Sequence, residues 1–288
     1  MKVLNELSVK DLRLNKKRSI VIIIGIILST ALICGVAGLI TSFQKTFVET
    51  AKNSQGNYHA IFYNVPKDEL KYIEENRSIE DYYLSEELGY SYLPNVKNLT
   101  STGEEEKPLV NIISMNDKFL NNMAINVKDG RLPENDSELA ISTRINEKFK
   151  TNYKVGDTIT LNVGELKGTL DNKNANYYDE LQIKQTDGTE QTTENEIINT
   201  TSKTYKIVGI IERPTTTIET YEADWFTVIT KMQTINKKAN IAVLYTNPND
   251  YEKNTESINQ MVTAKSGTEA NDFNVINGLN KTYKSYKY

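Results

Sequence analysis

Residues 20 to 40 (IVIIIGIILSTALICGVAGLI) are 21 consecutive positions without a charged side chain. At 1.5 Å of rise per residue such a run makes a helix of about 31 Å, which matches a hydrocarbon core of about 30 Å. Thirteen of its residues are Ile, Val or Leu. Each favours insertion by roughly 0.3–0.6 kcal/mol, so together they contribute about 4–8 kcal/mol before the small polar residues are counted. The run predicts a transmembrane helix over residues 19–41. A cleaved signal peptide has a shorter apolar stretch, of about 7–15 residues, and a small-residue cleavage site; no clean A-x-A follows this run. Lipoprotein processing at Cys34 needs a small residue just before the cysteine, where Ile33 stands.

The charges around the run set its direction. Lys10, Arg13, Lys16, Lys17 and Arg18 precede it closely, whereas Lys45 is the first basic residue after it. The positive-inside rule then puts the N-terminus in the cytoplasm and the body outside, with the protein in the cell (plasma) membrane. Residues 1–41 carry six basic and two acidic side chains, and the remainder carries 28 and 36. An acidic body repels phosphate and forgoes counterion release, which excludes nucleic acid as its partner. Cys34 is the only cysteine and lies within the run. The body therefore has no disulfide, no thiolate nucleophile and no cysteine metal site.

Small residues give the run a second reading. Ala31, Gly35, Gly38 and Ser42 fall at i, i+4, i+7 and i+11, on one helical face, and Gly25 and Ser29 form a further small-xxx-small pair. In lipid, small residues let helix backbones approach closely, so this face is expected to be a packing seam for another membrane helix. That partner lies outside this chain, because no second apolar run of 18 residues occurs. Before the run, residues 1–18 mix Val3, Leu4, Leu7, Leu12 and Leu14 with Lys10 and Arg13; a short amphipathic cytoplasmic head against membrane lipid is expected. After it, residues 42–56 lack Gly and Pro until Gly56 and carry Phe43 and Phe47 at i and i+4. The helix should continue outward as a stalk.

The body reads as mixed α and β structure. Tyr58–Val65 is a strand, Pro66 opens a helix over 67–76, and Ile79–Tyr92 returns extended, a β-α-β unit. The succession recurs near the end: Ile241–Tyr245 as strand, Asn247-Pro248 as cap and first turn, and a helix over 250–264. Between them, Leu109–Met115, Glu138–Ile141, Thr158–Val163 and Thr204–Glu212 read as strands. Asn116-Asp117 starts a short helix and Ser142 caps another over 143–150. Residues 164–203, rich in Asn, Thr, Glu and Asp, read as exposed hairpins or a mobile insertion. The fold class is α+β, with two lobes expected because 247 residues after the span approach the limit of a single core.

Chemistry is sparse. His59 is the only histidine and falls in a strand, so a His-dependent triad would rest on one packed or surface residue. No G-x-S-x-G, H-E-x-x-H or G-x-x-x-x-G-K-[ST] occurs. Ser42 and Lys45 match S-x-x-K by chance, on the stalk and without K-T-G. Glu104, Glu105 and Glu106 lack calcium-loop spacing and read as a solvated run. Sequons at Asn98 and Asn199 follow from an Asn/Thr-rich composition. Tyr82, Tyr83, Tyr90, Tyr92, Tyr221, Trp225 and Phe226 could supply contact area, or simply line a half-buried sheet. No catalytic residue, cofactor or metal is expected.

The order of parts resembles the start of FtsX-like/MacB-like ABC transporter permeases. The resemblance is carried by the head Asn5-Glu6-Leu7-Ser8-Val9-Lys10-Asp11-Leu12-Arg13 with Asn15-Lys16-Lys17-Arg18-Ser19, and by the Ile-rich span with Gly25-Ile26-Ile27-Leu28-Ser29. Within the body it is carried by Gly130-Arg131-Leu132-Pro133 leading to Glu138-Leu139-Ala140-Ile141-Ser142, by Gly156-Asp157-Thr158-Ile159-Thr160-Leu161, and by Tyr205-Lys206-Ile207-Val208-Gly209-Ile210. It covers residues 1–45 closely and the rest loosely. It implies a MacB-like extracytoplasmic domain over 57–288, with 57–115 plus 204–288 as a membrane-proximal lobe and 116–203 as an inserted lobe carrying the mobile segment 164–203. It also implies a separate cytoplasmic ABC ATPase and further permease helices, or a second permease half, as partners. ATP-driven movement of the membrane helices would then move the outer domain, which handles a substrate or controls a partner. Family members carry at least three more membrane helices after this domain, and the chain ends at Tyr288 before them. It is expected to be either a fragment or a single-span relative; a self-sufficient membrane-anchored surface binding protein is the alternative.

Overall fold

The computed structural model describes residues 15–96, 98–99, 105–106, 108–167, 196–215, 218–219, 225–266 and 275–277. The chain divides into two compact units between Thr50 and Ala51. The first is dominated by α1, Lys16–Gln55, one uninterrupted 40-residue helix whose last turn, from Ala51, falls in the second unit. The expected span and stalk are thus a single helix. It stops at Gly56, whose φ is 114° and whose N–H donates to the Lys52 carbonyl at 2.9 Å. A β carbon on Gly56 would come within 3.1 Å of Met123 Cα, so positive φ and crowding both require glycine there.

The second unit is built on one ten-stranded sheet. In chain order its elements are β1 (Ala60–Pro66), a 3-10 turn (Lys67–Glu69), α2 (Lys71–Glu74) and β2 (Ile79–Tyr92). A separate two-stranded pair, β3 (Asn98–Leu99) and β4 (Glu105–Glu106), follows. Then come β5 (Leu109–Met115), α3 (Asp117–Asn122), β6 (Val127–Gly130), β7 (Glu138–Ser142) and α4 (Thr143–Phe149). The chain continues with β8 (Thr158–Lys167), β9 (Glu196–Ile211), β10 (Trp225–Lys231), β11 (Lys238–Tyr245), α5 (Tyr251–Ser266) and β12 (Val275–Asn277).

Side-chain caps start the helices where the sequence marks them. Asn116 Oδ1 accepts from Phe119 N at 2.8 Å, Ser142 Oγ from Arg144 N at 3.4 Å, and Asn247 Oδ1 from Asn249 N at 3.1 Å. Each satisfies a backbone donor that the first turn leaves without an intrahelical partner.

The expected β-α-β unit is present, and the later strand–helix succession is completed by β12, which the sequence did not mark, but neither unit closes on adjacent strands. β1 and β2 run parallel with β11 antiparallel between them, and β11 and β12 run parallel with β1 between them. The order β12-β1-β11-β2 is an interlocked pair of split β-α-β units. Each strand fills the gap left by the other unit, a long-range pairing that local periodicity does not specify. One face, with Phe62, Val65, Ile241 and Val243, is covered by Ile73 of α2 and by Tyr251, Ile258 and Val262 of α5. The opposite face, with Ile61, Tyr83 and Ala242, packs on Phe119 and Leu120 of α3.

Beyond β2 the sheet curls. β2 pairs β5, β5 pairs β10 in parallel, β10 pairs β7, β7 pairs β9 in parallel, and β9 pairs β8. The pairing of Tyr90 with Gly164 returns β8 to β2 and closes a six-stranded ring. A β carbon on Gly89 (φ 129°) would lie 2.4 Å from the Gly164 carbonyl oxygen, and one on Gly164 would lie 2.3 Å from that of Ile198. The closure needs glycine on both strands. Inside the ring one cluster gathers Val110, Ile112, Leu139, Ile141, Leu161, Ile207 and Val228, with Ile145 entering from α4. Of the polar stretch 164–203, residues 164–167 and 196–203 extend β8 and β9 as a hairpin, and 168–195 lie outside the described residues.

Candidate functional site

All six seam residues lie on α1 and face solvent: Gly25, Ser29, Ala31, Gly35, Gly38 and Ser42. A helix turns 100° per residue, so Ala31, Gly35, Gly38 and Ser42 share one side, while Gly25 and Ser29 lie on another. Nothing stands within 4 Å of a β carbon built on Gly25, Gly35 or Gly38. Three hydroxyls of this segment are satisfied within the helix: Ser29 Oγ donates to the Gly25 carbonyl at 2.8 Å, Thr30 Oγ1 to that of Ile26 at 2.9 Å, and Thr41 Oγ1 to that of Gly38 at 2.9 Å. Hydroxyls so bonded offer lipid no unpaired donor. Among the described residues α1 is the one helix long and apolar enough to cross a membrane. Lys16, Lys17 and Arg18 are exposed in its first turn; Lys10, Arg13 and the rest of the head lie outside the described residues.

In the body, the stretches that carry the resemblance meet in space. Gly130 pairs with Gly209 in register between β6 and β9. A β carbon on Gly130 (φ 75°) would stand 2.2 Å from the Val208 carbonyl oxygen, and one on Gly209 would stand 2.1 Å from that of Arg131. Arg131 then donates through both Nη atoms to the two Glu138 carboxylate oxygens, each at 2.7 Å. That bidentate bond, helped by the Glu134 N–H, holds the Glu138 carboxyl down to about 2. Gly156 N donates to the Ile207 carbonyl at 2.8 Å, and Ile207 N to that of Asp157 at 2.8 Å. The four motif stretches form one lock that fastens β6, β7, β8 and β9 together.

Two buried carboxylates escaped the sequence reading. Glu219, fully buried, pairs with Arg144 and lies 3.1 Å from Arg213 Nε, and it accepts the Thr227 N–H at 2.9 Å. It ties the chain after β9 to the start of β10 and to α4, where the Arg144 guanidinium sits 5.0 Å over the Phe226 ring. Glu86 accepts from Asn236 N at 3.0 Å and Lys237 N at 3.1 Å, holding the β10–β11 connection. Nothing around a lone Glu in a sequence distinguishes such a role; only the long-range pairing does.

His59 is buried just before β1, and its Nδ1 accepts the Tyr245 N–H at 2.9 Å. The proton of the neutral ring therefore sits on Nε2. Burial, with the Lys52 charge adding to it, lowers its pKa to about 4. This is a packed histidine bonded into the sheet. Tyr83, Tyr90, Trp225 and Phe226 are buried, so these aromatics line the sheet rather than a contact surface. Ser42 and Lys45 lie on α1, Glu105 and Glu106 in β4, and Tyr221 and Glu104 outside the described residues. Among the described residues no group of His, Cys, Asp and Glu could hold a metal ion.

One helix long and apolar enough to cross a membrane, and a sheet-rich body of split β-α-β units and a strand ring, define the class: an α+β domain with a candidate membrane span. The sequence model of the MacB-like periplasmic core domain matches residues 19–270. The chain belongs to that family. Among solved structures it is similar to the extracellular domain of the noncanonic ABC-type transporter YknZ from Gram-positive bacteria, at 10% identity and a TM-score of 0.42, covering 77% of this chain and 100% of that one. It is also similar to a domain assigned to a permease protein from Porphyromonas gingivalis, at 8% identity and a TM-score of 0.40, covering 79% and 91%. Among curated proteins none matches.

Proposed function

We propose that this chain is the first membrane helix and outer domain of an FtsX/MacB-type permease, moved by a separate cytoplasmic ATPase. The observation that carries the reading is the extent of the family match: it begins at residue 19 and so takes in the apolar run together with the body. The N-terminus lies in the cytoplasm, on the side of Lys16, Lys17 and Arg18. Further permease helices pack on the face of Ala31, Gly35, Gly38 and Ser42, with Gly25 and Ser29 as a second contact. The body binds substrate or a partner outside and performs no catalysis, hydrolysis being left to the ATPase. Purification of the tagged chain from its native membranes tests this. Recovery of an ABC ATPase and additional permease helices is the expected result. Recovery of neither overturns the reading in favour of a self-sufficient anchored binding protein.

A further inference from the structure

The length of α1 exceeds what a hydrocarbon core requires, and its outer extension carries two exposed rings. Phe43 and Phe47 are 59% and 40% exposed, and their ring centroids lie 6.5 Å apart. Their face continues that of Val36 and Ile40, since 36, 40, 43 and 47 are spaced i, i+4, i+7 and i+11. Basic residues mark the other end of the helix, at Lys16, Lys17 and Arg18. From Arg18 to Phe43 is about 37 Å along the helix, and from Lys16 to Phe47 about 46 Å, at 1.5 Å per residue. Those two distances bracket the thickness of a bilayer with its headgroups, about 40–45 Å.

Side-chain direction points the same way. Every Cα–Cβ bond in a helix tilts toward the N-terminus, and long side chains cover the turn before their own Cα. In α1 the N-terminal direction from Phe43 and Phe47 is toward the apolar run. Both rings therefore lean back over the membrane surface, whichever side of the cell that surface faces.

Resting on the reading of α1 as a span, we infer that Phe43 and Phe47 form an aromatic anchor in the lipid headgroup layer opposite the basic collar. The collar and the rings together fix how deep the helix sits. Their occupant is the boundary between headgroups and acyl chains, where an apolar ring gains burial and the flanking Lys45 can reach phosphate.

The test uses the full chain in phosphatidylcholine vesicles, with Phe43→Trp, Phe47→Trp and, as a deep marker, Leu32→Trp. Each is read as the fluorescence added to the parent chain, whose single tryptophan, Trp225, lies in the body. Lipids brominated near the headgroup end of the acyl chain should quench the tryptophans at 43 and 47 about two-fold more than lipids brominated near the chain terminus; at 32 the order should reverse. Quenching at 32 with none by either lipid at 43 and 47 overturns the anchor and leaves the span standing. Absence of quenching at 32 overturns the span, and the anchor with it.

Discussion

The buried histidine makes the body sensitive to mild acid in a way that can be calculated. His59 titrates at about 4 in the folded chain against 6.5 when unperturbed. Between those values the unfolded chain binds a proton that the folded chain refuses, so unfolding takes up protons and stability rises with pH. The contribution is fully present above 6.5 and is lost as the pH falls toward 4. A shift of that size corresponds to about 3 kcal/mol at full effect. Residual solvent around the ring screens this to about 2 kcal/mol, of which most is gone by pH 5. The full chain in detergent micelles, unfolded with guanidinium at pH 7.5 and pH 5 and followed by Trp225 fluorescence, reads this difference. His59→Asn keeps an acceptor for the Tyr245 N–H, because Asn Oδ1 occupies the place of Nδ1, but it does not titrate. The variant should lose less than half of what the parent loses between the two pH values. Equal losses in both chains would refute the argument, since the acid sensitivity would then belong to other groups.

Four further outcomes follow from the geometry. Glu138, held down to about 2 by Arg131, contributes stability above 4.5 that disappears as the pH falls from 4.5 to 2; Arg131→Ala should flatten acid unfolding curves in that window, below the one His59 controls. Gly130→Ala puts a β carbon 2.2 Å from the Val208 carbonyl oxygen at a φ of 75°, and should cost roughly 1–3 kcal/mol in chemical denaturation, whereas Gly156→Ala, also at positive φ (101°) but in open space, should cost less. Glu219→Gln leaves Arg144 and Arg213 without their buried counter-charge and should cost about 3–5 kcal/mol; a loss below 1 kcal/mol would mean that solvent already carries the guanidinium charges. If the small-residue face of α1 packs on partner helices, Gly35→Leu with Gly38→Leu should reduce co-purification of those helices from native membranes while the body unfolds as before. Unchanged recovery would remove the seam.

What the sequence could and could not say follows from the range of the interactions involved. The 21-residue run and Gly56 bound α1 because helix length and a glycine stop are local properties. Leu109–Met115 reads as a strand from its own composition, and Asn116 and Ser142 announce their helices by one side-chain bond each. The insertion of β11 between β1 and β2 was not legible, because its pairing joins Ile61 to Ala242 across most of the chain. Neither was the ring, since Tyr90 and Gly164 carry no mark of each other. The buried Glu86 and Glu219 look, one residue at a time, like any surface carboxylate; burial decides their role and burial is a property of the fold.

The motifs that carry the resemblance also limit what it says about specificity. Gly130, Arg131, Glu138, Gly156 and Gly209 are spent on holding β6, β7, β8 and β9 together: Gly130 and Gly209 through backbone approaches that exclude side chains, Arg131 and Glu138 through a carboxylate clamped on both oxygens, and Gly156 through its N–H bond to Ile207. A residue whose atoms are committed to the frame cannot also select a ligand. Two proteins can therefore share these landmarks and bind different molecules. If the body binds a substrate or partner, as proposed, its selectivity must reside in surfaces that the landmarks leave free. Exchange of the solvent-facing residues of the β8–β9 hairpin, where Thr200, Thr201 and Ser202 are exposed, should leave folding intact and change what the body binds. Exchange of the lock residues should instead reduce stability, and whatever binding survives should keep its selectivity.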